Sequence, residues 1–490
     1  MAPLRWLLLL SFLLFGLRIF AATRLGFGDA EALYVVYGLH LRLVHLDHPG
    51  LIGLVALLLG VGAAPSALRL HFATALAATV VPWSGVLAAR WLGAPPALAP
   101  LAGLALVAAP EITVGLFALT PDLLLAPLWL LALGAWGRGL SQSEESKAWR
   151  WLSLGSLLAG LGALAKVSGV LLLAAMGASL LDLQCRSPRK ALCLWGTLGP
   201  GVLACLPVLV AEVDGGFEML THRLVSTQRE AGFSLRNAGA LLGGQIGYLS
   251  PLVAVAATLL AYWLVRQGRQ FAGVFRWLFL AFVVSGLPLG VLCLWSRVAE
   301  PHWLAPAWLP LSLLFSLPKV QGVVGARLSR WALGSGVVLS LLVHGWTLTD
   351  LAPRWLGNLY EGRYDLANDL LLWEGLSPKL ASLRAQVAAE QRAEPVAVAP
   401  HWIVAAQARA TGAVARASTV ACLGFPGSIP DDFCRWEPPS QWGAPLLWVS
   451  DDRFPLSPPS LGSRLRVHQE EFELRRGGRV VRRARLEVWR

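Results

Sequence analysis

Long apolar stretches separated by short polar connections make up the sequence as far as Thr347, and they restrict the fold more than any other feature. A helix needs about 20 apolar residues to cross a bilayer. Because a spanning segment must satisfy its backbone polar groups without water, the spans are predicted to be helical. The composition agrees, since 56% of the residues are hydrophobic and 14% are charged. The sequence therefore predicts an all-α polytopic membrane protein.

We predict about 11 spans of this length, near residues 4–22, 67–90, 97–110, 121–137, 151–165, 168–184, 191–212, 241–265, 274–295, 304–317 and 328–348. The first is interpreted as an uncleaved helix, because its apolar run is long enough to cross and further spans follow. Basic residues concentrate in alternate connections, which are therefore expected to be cytoplasmic. The predicted location is the cell inner membrane, with a cytoplasmic N-terminus. Much of the +12 net charge lies in these connections, so no nucleic-acid partner is indicated.

The composition changes near residue 350, and we predict two domains: a transmembrane module, 1–349, and a small C-terminal α/β domain, 350–490. An odd number of spans places the second domain in the periplasm. Its basic tail is predicted to form a strand hairpin with a solvated face, or alternatively a face for anionic lipid headgroups. Cys422 and Cys434 are its cysteine pair, and the sequence leaves open whether they form a disulfide.

Two carboxylates, Asp29 and Glu31, follow the first predicted helix. Charged groups at the edge of a span are costly and often functional. A carboxylate in a partly desolvated cleft has a raised proton affinity and can take the proton of an attacking hydroxyl. The alternative is that Asp29 caps the next helix and Glu31 lies in its first turn. We favour a catalytic role, with which capping is compatible.

Three further residues suit the binding of a lipid-linked phosphate. Lys166 is a single cation between two apolar segments on the predicted outer side, where an ammonium needs an anion or must snorkel to the interface. His48 can donate to a phosphate and Asp47 can orient it, although Asp47-His48-Pro49 is equally compatible with a turn stopped by proline. The segment that follows, 51–59, is interpreted as a helix in the membrane interface.

Other candidates lie in later outer connections. Arg229 suits phosphate recognition, although neighbouring acids offer it partners. His302 opens a span and is either a phosphate donor or a solvated capping residue. Gln245 is a further polar candidate. For Asp122, in Thr120-Pro121-Asp122, ordinary helix capping is the favoured interpretation.

The sequence contains no metal-binding signature and no nucleotide-binding glycine pattern, so no cofactor is indicated. Phosphate contacts would come from scattered cations, which favours a lipid-carried donor. The metal requirement stays open.

These segments together resemble the GT-C glycosyltransferases of the dolichyl-phosphate-mannose protein mannosyltransferase and lipid A aminoarabinose transferase group. The matching motifs are spread in family order over most of residues 1–350: Asp29-Ala30-Glu31-Ala32 with Tyr34, Leu46-Asp47-His48-Pro49, Thr120-Pro121-Asp122, Ala165-Lys166, Gln245 with Ser250-Pro251, and Pro301-His302-Trp303 with Ala305-Pro306. Two positions depart from the family: alanine separates the acidic pair, and Gly50 replaces a second proline. The WWDYG motif of oligosaccharyltransferases is absent.

The resemblance implies an inverting enzyme that moves a hexose or pentose from a polyprenyl-phosphate carrier to a periplasmic lipid, glycan or protein. It implies Asp29 or Glu31 as the base and Lys166 as a phosphate partner. A transporter or flippase of lipid-linked saccharides is the alternative. Transporters usually show paired repeats and acids within broken spans, which are not apparent here. A scaffold without catalysis is a third possibility, because the acidic pair is interrupted.

Overall fold

The structure is a computed structural model, and it describes residues 2–490 except 62–65, 183–186, 229–230, 268–269, 271–272, 297–299, 415–419, 424–430, 437–444, 459–460 and 462. Helices dominate as far as Leu348. They are α1 Ala2–Ala22, α2 Asp29–Leu39, α3 Leu51–Ala56, α4 Ala67–Trp91, α5 Pro100–Val107, α6 Pro110–Thr113, α7 Pro121–Leu140, α8 Glu145–Ala165, α9 Val170–Leu181, α10 Pro188–Gly196, α11 Gly199–Asp214, α12 Glu218–Leu224, α13 Leu235–Leu249, α14 Pro251–Gln267, α15 Val274–Trp295, α16 Ala305–Leu314, α17 Gln321–Val324 and α18 Ala326–Leu348.

Within the described residues, five helices are individually long and apolar enough to cross a membrane: α1, α4, α7, α15 and α18. The total is up to nine when each sharply bent helix pair is taken as one span, compared with the predicted eleven. The five long helices agree with the predicted spans within a few residues. The two predicted spans that are not among the nine are 151–165, which lies in α8, and 168–184, where α9 has only 12 residues.

The predicted straight span 241–265 is wrong in one respect, because it is two helices. The axes of α13 and α14 meet at 107°. The bend lies at Ser250, whose φ of +68° ends α13, and at Pro251, which cannot donate a helical hydrogen bond. A similar bend of 85° separates Pro100–Val107 from Pro110–Phe117. Ser250, at the first of these bends, is fully buried.

The C-terminal region has mixed secondary structure. Its elements are α19 Leu351–Trp355, α20 Ala367–Gln391, β1 Val396–Ala399, α21 Trp402–Ala410, β2 Val420–Cys422, α22 Asp432–Trp436, β3 Leu446–Asp451, β4 Arg466–Arg476 and β5 Arg479–Trp489. The strand order is β2-β1-β3-β5-β4. β1 is parallel to β2 and β3, whereas β5 is antiparallel to β3 and β4. The predicted fold class, a helical membrane module with a small α/β domain, is confirmed.

The segment between α1 and α4 packs against this α/β domain. Val35 and Ile52 share a hydrophobic core with Leu376, Val404 and Leu447. Helices α2 and α3 approach closely, since a Cβ on Gly38 would lie 3.0 Å from the Gly53 carbonyl oxygen. This segment, called the first loop below, therefore joins the membrane module to the C-terminal region, and α3 is packed on protein along one face.

Gly50 is required by the backbone of this loop. Its N–H donates to the Leu43 carbonyl at 2.8 Å. A Cβ at this position would lie 1.8 Å from the Arg42 carbonyl oxygen. Proline would lose the hydrogen bond and introduce the clash. The local backbone thus explains why this chain departs from the second proline of the family motif.

The basic tail forms the predicted hairpin. Gly477 and Gly478 have φ values of +57° and +83°, as a two-residue hairpin turn requires. Arg475 pairs with Glu473 at 2.6 Å and Arg485 pairs with Glu471 at 2.7 Å. Paired charges of this kind favour the solvated face over a lipid-binding one. In β2, the Cys422 thiol lies 3.5 Å from an Asp431 carboxylate oxygen, and the side chain of its proposed partner, Cys434, lies outside the described residues.

Candidate active site

Asp122 and Lys166 meet at one end of the helix bundle. Thr120 caps α7 by accepting from the Leu123 N–H at 3.3 Å, which places Asp122 in the first turn. Lys166 directly follows α8, and its ammonium donates to both Asp122 carboxylate oxygens at 2.9 and 2.8 Å. The Lys166 side chain is 11% exposed. Since an ammonium has three donors, one remains for another acceptor.

A second charged pair joins the first loop to α12. The Arg223 guanidinium lies 3.0 Å from the Asp47 carboxylate and also donates to the Asp47 carbonyl at 3.1 Å. A third contact, at 3.5 Å, reaches Nε2 of His48. Arg223 also lies over the Trp303 ring, 5.5 Å from its centroid. Arg223 therefore holds the predicted Asp47-His48 motif against the segment that opens α16.

His48 lies where several basic groups converge. Burial is the largest cause that holds its pKa well below the ordinary value, and four nearby basic groups lower it further: Arg223, Lys166, His45 and His302. His48 is therefore neutral near pH 7. Burial and the nearby Asp47 raise the pKa of the Tyr34 hydroxyl, so this group is also held in its neutral form. The structure thus brings His48, Lys166 and His302 within electrostatic reach of one another.

The remaining predicted polar candidates have defined partners or lie outside the described residues. His302 Nδ1 is 3.1 Å from Glu300, and this hydrogen bond lowers the pKa of the Glu300 carboxyl. Gln245 donates to the Pro301 carbonyl at 2.8 Å and accepts from Trp308 at 2.5 Å, so it fixes the approach to α16. Arg229 lies outside the described residues.

Glu31 is fully buried in the first turn of α2. Its carboxylate contacts His71 Nε2 at 2.7 Å and accepts from the Leu119 N–H at 2.8 Å and the Gly28 N–H at 3.2 Å. The Glu31 side chain has 0% exposure and that of His71 has 1%. These contacts tie α2 to α4 and to the turn that precedes Thr120. Glu31 therefore supports the position of the Asp122 turn.

Asp29 faces the C-terminal region. Its carboxylate lies 2.6 Å from Arg453 and accepts from Gln407 at 3.2 Å. Arg453 also contacts Asp451 at 2.8 Å and Asp369 at 3.3 Å. Burial alone would lower the pKa of Arg453, but these carboxylates outweigh burial and raise it. In the described part of the chain, no hydrogen bond or ion pair joins Asp29 to Lys166.

Several residues of this region escaped the sequence analysis. Arg18 and His71 lie within predicted spans, where a polar side chain is itself a signal. Glu111 lies in the short helix α6 between apolar segments, where the sequence carries no motif. Arg453 gave no sequence signal, since its partner Asp29 is 424 residues away. Within the described residues, no group of three or more His, Cys, Asp or Glu side chains is arranged to hold a metal ion.

No protein-family model matches the chain, and no curated protein matches it at a significant level. Solved structures do match. ArnT from Cupriavidus metallidurans bound to undecaprenyl phosphate aligns over 99% of this chain and 97% of ArnT, with 16% identity and a TM-score of 0.60. For apo ArnT, the coverages are 99% and 98%, the identity is 15% and the TM-score is 0.62.

The Archaeoglobus fulgidus oligosaccharyltransferase is also similar. It aligns over 92% of this chain and 69% of its own, with 13% identity and a TM-score of 0.51. Both neighbours are glycosyltransferases of the GT-C type. The chain therefore has an ArnT-like GT-C fold, as the motif resemblance predicted.

Proposed function

We propose that this protein is a membrane glycosyltransferase that takes a sugar from a polyprenyl-phosphate carrier and passes it to an acceptor. The observation that carries the proposal is the convergence of Lys166, Arg223 and His48 at one end of a GT-C helix bundle. A departing lipid phosphate carries negative charge, and fixed cations and N–H donors stabilise such a charge as it develops. The fold is also that of ArnT, which has been crystallised with undecaprenyl phosphate.

The donor phosphate is assigned to the cationic groups. Lys166 has a third N–H beyond the two that contact Asp122, and Arg223 offers a planar fork of donors. His48, as a neutral imidazole, supplies one further donor or acceptor. His302 completes the proposed phosphate site among the described residues, and Asp122 and Asp47 orient the cations; Arg229 stays a candidate from the sequence alone. Gln245 holds the neighbouring backbone in place.

The reaction is a displacement at the sugar's anomeric carbon. The acceptor oxygen forms a bond to this carbon while the bond from the carbon to the phosphate oxygen breaks, and the electron pair stays on the polyprenyl phosphate. The acceptor's proton passes to a carboxylate. A single displacement inverts the anomeric configuration, and this outcome is the one expected here. The sugar is assigned to the hexoses or pentoses.

Asp29 and Glu31 are the sequence-based candidates for the proton acceptor, and their contacts separate them. Glu31 is enclosed by His71 and two backbone donors, which suits a structural role. The Asp29 side chain is 21% exposed and would act after leaving Arg453. Asp29 is thus the stronger candidate of the pair, and both remain open to test by the variants Asp29→Asn and Glu31→Gln.

The proposed orientation of the protein in the membrane follows from the distribution of its basic residues. Basic connections on one side assign the N-terminus to the cytoplasm, and the active site and residues 350–490 to the periplasmic face of the inner membrane. Residues 350–490 would then border the acceptor site, where a lipid, glycan or protein binds. In intact spheroplasts, a tag on the protein's C-terminus is expected to be digested by added protease. A tag that is protected from the protease would contradict this orientation.

The test is transfer in proteoliposomes. Purified protein is supplied with undecaprenyl phosphate carrying a radiolabelled hexose or pentose, and with a lipid extract or peptidoglycan fragments as acceptors. The expected result is labelled acceptor together with free undecaprenyl phosphate. If the labelled donor crosses to the opposite leaflet with its sugar still attached, the chain is a flippase instead. If the donor stays intact and in its original leaflet with every donor and acceptor tested, both functions are contradicted.

A further inference from the structure

A patch of exposed apolar side chains follows helix α18. In the described part of residues 350–490, seven large apolar side chains are exposed, and five of them lie within 351–366. These five have exposed fractions between 39% and 84%, and they are Leu351, Trp355, Leu356, Leu359 and Leu366. The other two, Leu465 and Val467, lie where β4 begins. Single exposed apolar side chains are ordinary, but a concentrated patch marks a site of contact with a partner or a membrane.

The inner side of the 351–366 segment is fixed to the α/β domain. Arg476, which ends β4 and is buried, donates to the Asp365 carboxylate at 2.9 Å and to the Thr349 carbonyl at 2.7 Å. Gly362 packs directly on β5, since a Cβ at this position would lie 2.5 Å from the Val481 carbonyl oxygen. Because these contacts hold the segment at both ends, its exposed apolar side chains form one surface of defined shape.

The ends of two spans give the level of this surface in the membrane. Helix α1 ends at Ala22 and α18 at Leu348, and both are long and apolar enough to cross. The residues that follow them, Thr23 and Thr349, line one open cavity of about 550 Å³. Both spans therefore leave the hydrocarbon at the same level. Leu351 begins α19 shortly after α18, within about 11 Å of extended chain, so the segment begins in or near the head-group layer.

The composition of the segment suits this depth. Trp355 carries the type of ring that is enriched where hydrocarbon meets head groups. Arg354 is exposed, and its ion pair with Asp350 is 4.0 Å long and open to solvent, so the pair contributes little. At the end of α1, Arg24 is exposed and lies over the Phe20 ring, 4.6 Å from its centroid. Apolar side chains with arginines at their edge are typical of segments that lie in the membrane interface, where guanidinium groups meet lipid phosphates.

We propose that residues 351–366 insert their exposed apolar side chains into the lipid leaflet at the C-terminal end of α18 and bind the α/β domain to the bilayer surface. The bilayer is the occupant because α18 itself carries the patch to the head-group layer. A soluble protein or a second copy of the chain would have to exclude lipid from the same place. The membrane-associated part of the chain then extends to Leu366, and the water-exposed domain begins with α20. This attachment can be measured whether or not the protein transfers a sugar.

The experiment measures the depth of a fluorophore on the full-length protein, held singly in nanodiscs that contain phosphatidylglycerol. Leu359→Cys and Leu366→Cys are labelled with the environment-sensitive fluorophore NBD, and each is reconstituted with and without lipids that carry a doxyl quencher on the acyl chain. Leu465→Cys is the matched control, because this leucine is 73% exposed in the same region. It lies about 40 Å along β4 from Gly477, which packs against Pro353. Wild type treated with the same label gives the background from native cysteines.

The apolar face of an interfacial segment lies about 5–10 Å deep, so doxyl lipid is expected to lower the emission of the labels at 359 and 366 by about twofold or more, whereas aqueous iodide has little effect on them. The label at 465 should show the reverse. Labels at 359 and 366 that iodide quenches as strongly as the label at 465 would place the segment in water and overturn the proposal. Labels shielded from both quenchers would overturn it in favour of a protein partner, and equal doxyl quenching at all three positions would contradict an attachment through this segment. Because two positions carry the label, poor folding of one variant leaves the other to decide.

Discussion

Replacement of Glu31 by alanine is expected to destabilise the protein by about 3–5 kcal/mol, because each buried donor left without an acceptor costs about 1–3 kcal/mol. The substitution leaves His71 and the Leu119 N–H without their acceptor in a region that excludes water. Glu31→Gln is expected to cost about 1–2 kcal/mol, because its amide oxygen still accepts from Leu119 and its NH₂ group still faces His71. The order of stability is wild type, then glutamine, then alanine.

Titration with SDS in mixed micelles, followed by tryptophan fluorescence, measures these differences in the free energy of unfolding. The exposed variant Asp214→Asn is the control and should differ from wild type by less than about 0.5 kcal/mol. Equal stability of Glu31→Ala and wild type would refute the structural role. A Glu31→Gln variant as stable as wild type but about 100-fold slower in transfer would assign the base to Glu31 instead.

Three further predictions concern the first loop and the C-terminal region. Gly50→Pro should lose at least about 3 kcal/mol of stability because of the clash at Arg42 and the missing N–H, and an unchanged SDS midpoint would contradict this. Burial lowers the pKa of His45 to about 3. The free energy of unfolding should therefore be highest above pH 6.5 and fall as the pH drops towards 3, with a loss of about 2 kcal/mol at pH 5. His45→Phe, which keeps the stack on Tyr37, should remove that pH dependence; an equal loss in both proteins would refute it. Arg453→Met should cost about 3–5 kcal/mol, because Asp29 and Asp451 lose their cation while Asp369 keeps Arg482, and a thermal melt identical to wild type would contradict this.

The membrane fold was largely predictable, because burial in lipid demands long apolar helices and the sequence displays them. The bends were not predictable to the same degree. Apolar residues continue on both sides of Ser250 and Pro251, so hydropathy alone predicts one straight span. The backbone instead turns by 107° at this point. The hairpin was predictable from two arginine-rich segments and from the glycine pair between them at 477–478, whose positive φ values suit a two-residue turn.

The candidate site was predictable only as separate motifs. Lys166 was expected to need an anion, but nothing in the sequence identifies Asp122 as its partner. Similarly, local sequence gives no indication that Arg453 reaches Asp29, because the contact depends on how the α/β domain packs against the first loop.

The affinity of purified protein for undecaprenyl phosphate, with and without the Lys166 ammonium, tests the central claim most directly. If the carrier's phosphate binds where Lys166, Arg223 and His48 converge, Lys166→Ala should raise the Kd by about tenfold or more, as loss of a charge-assisted hydrogen bond requires. Lys147→Ala, at an exposed lysine on the predicted cytoplasmic side, should leave the Kd unchanged. Equal affinities for wild type and Lys166→Ala would contradict the assignment of this cluster to the lipid phosphate.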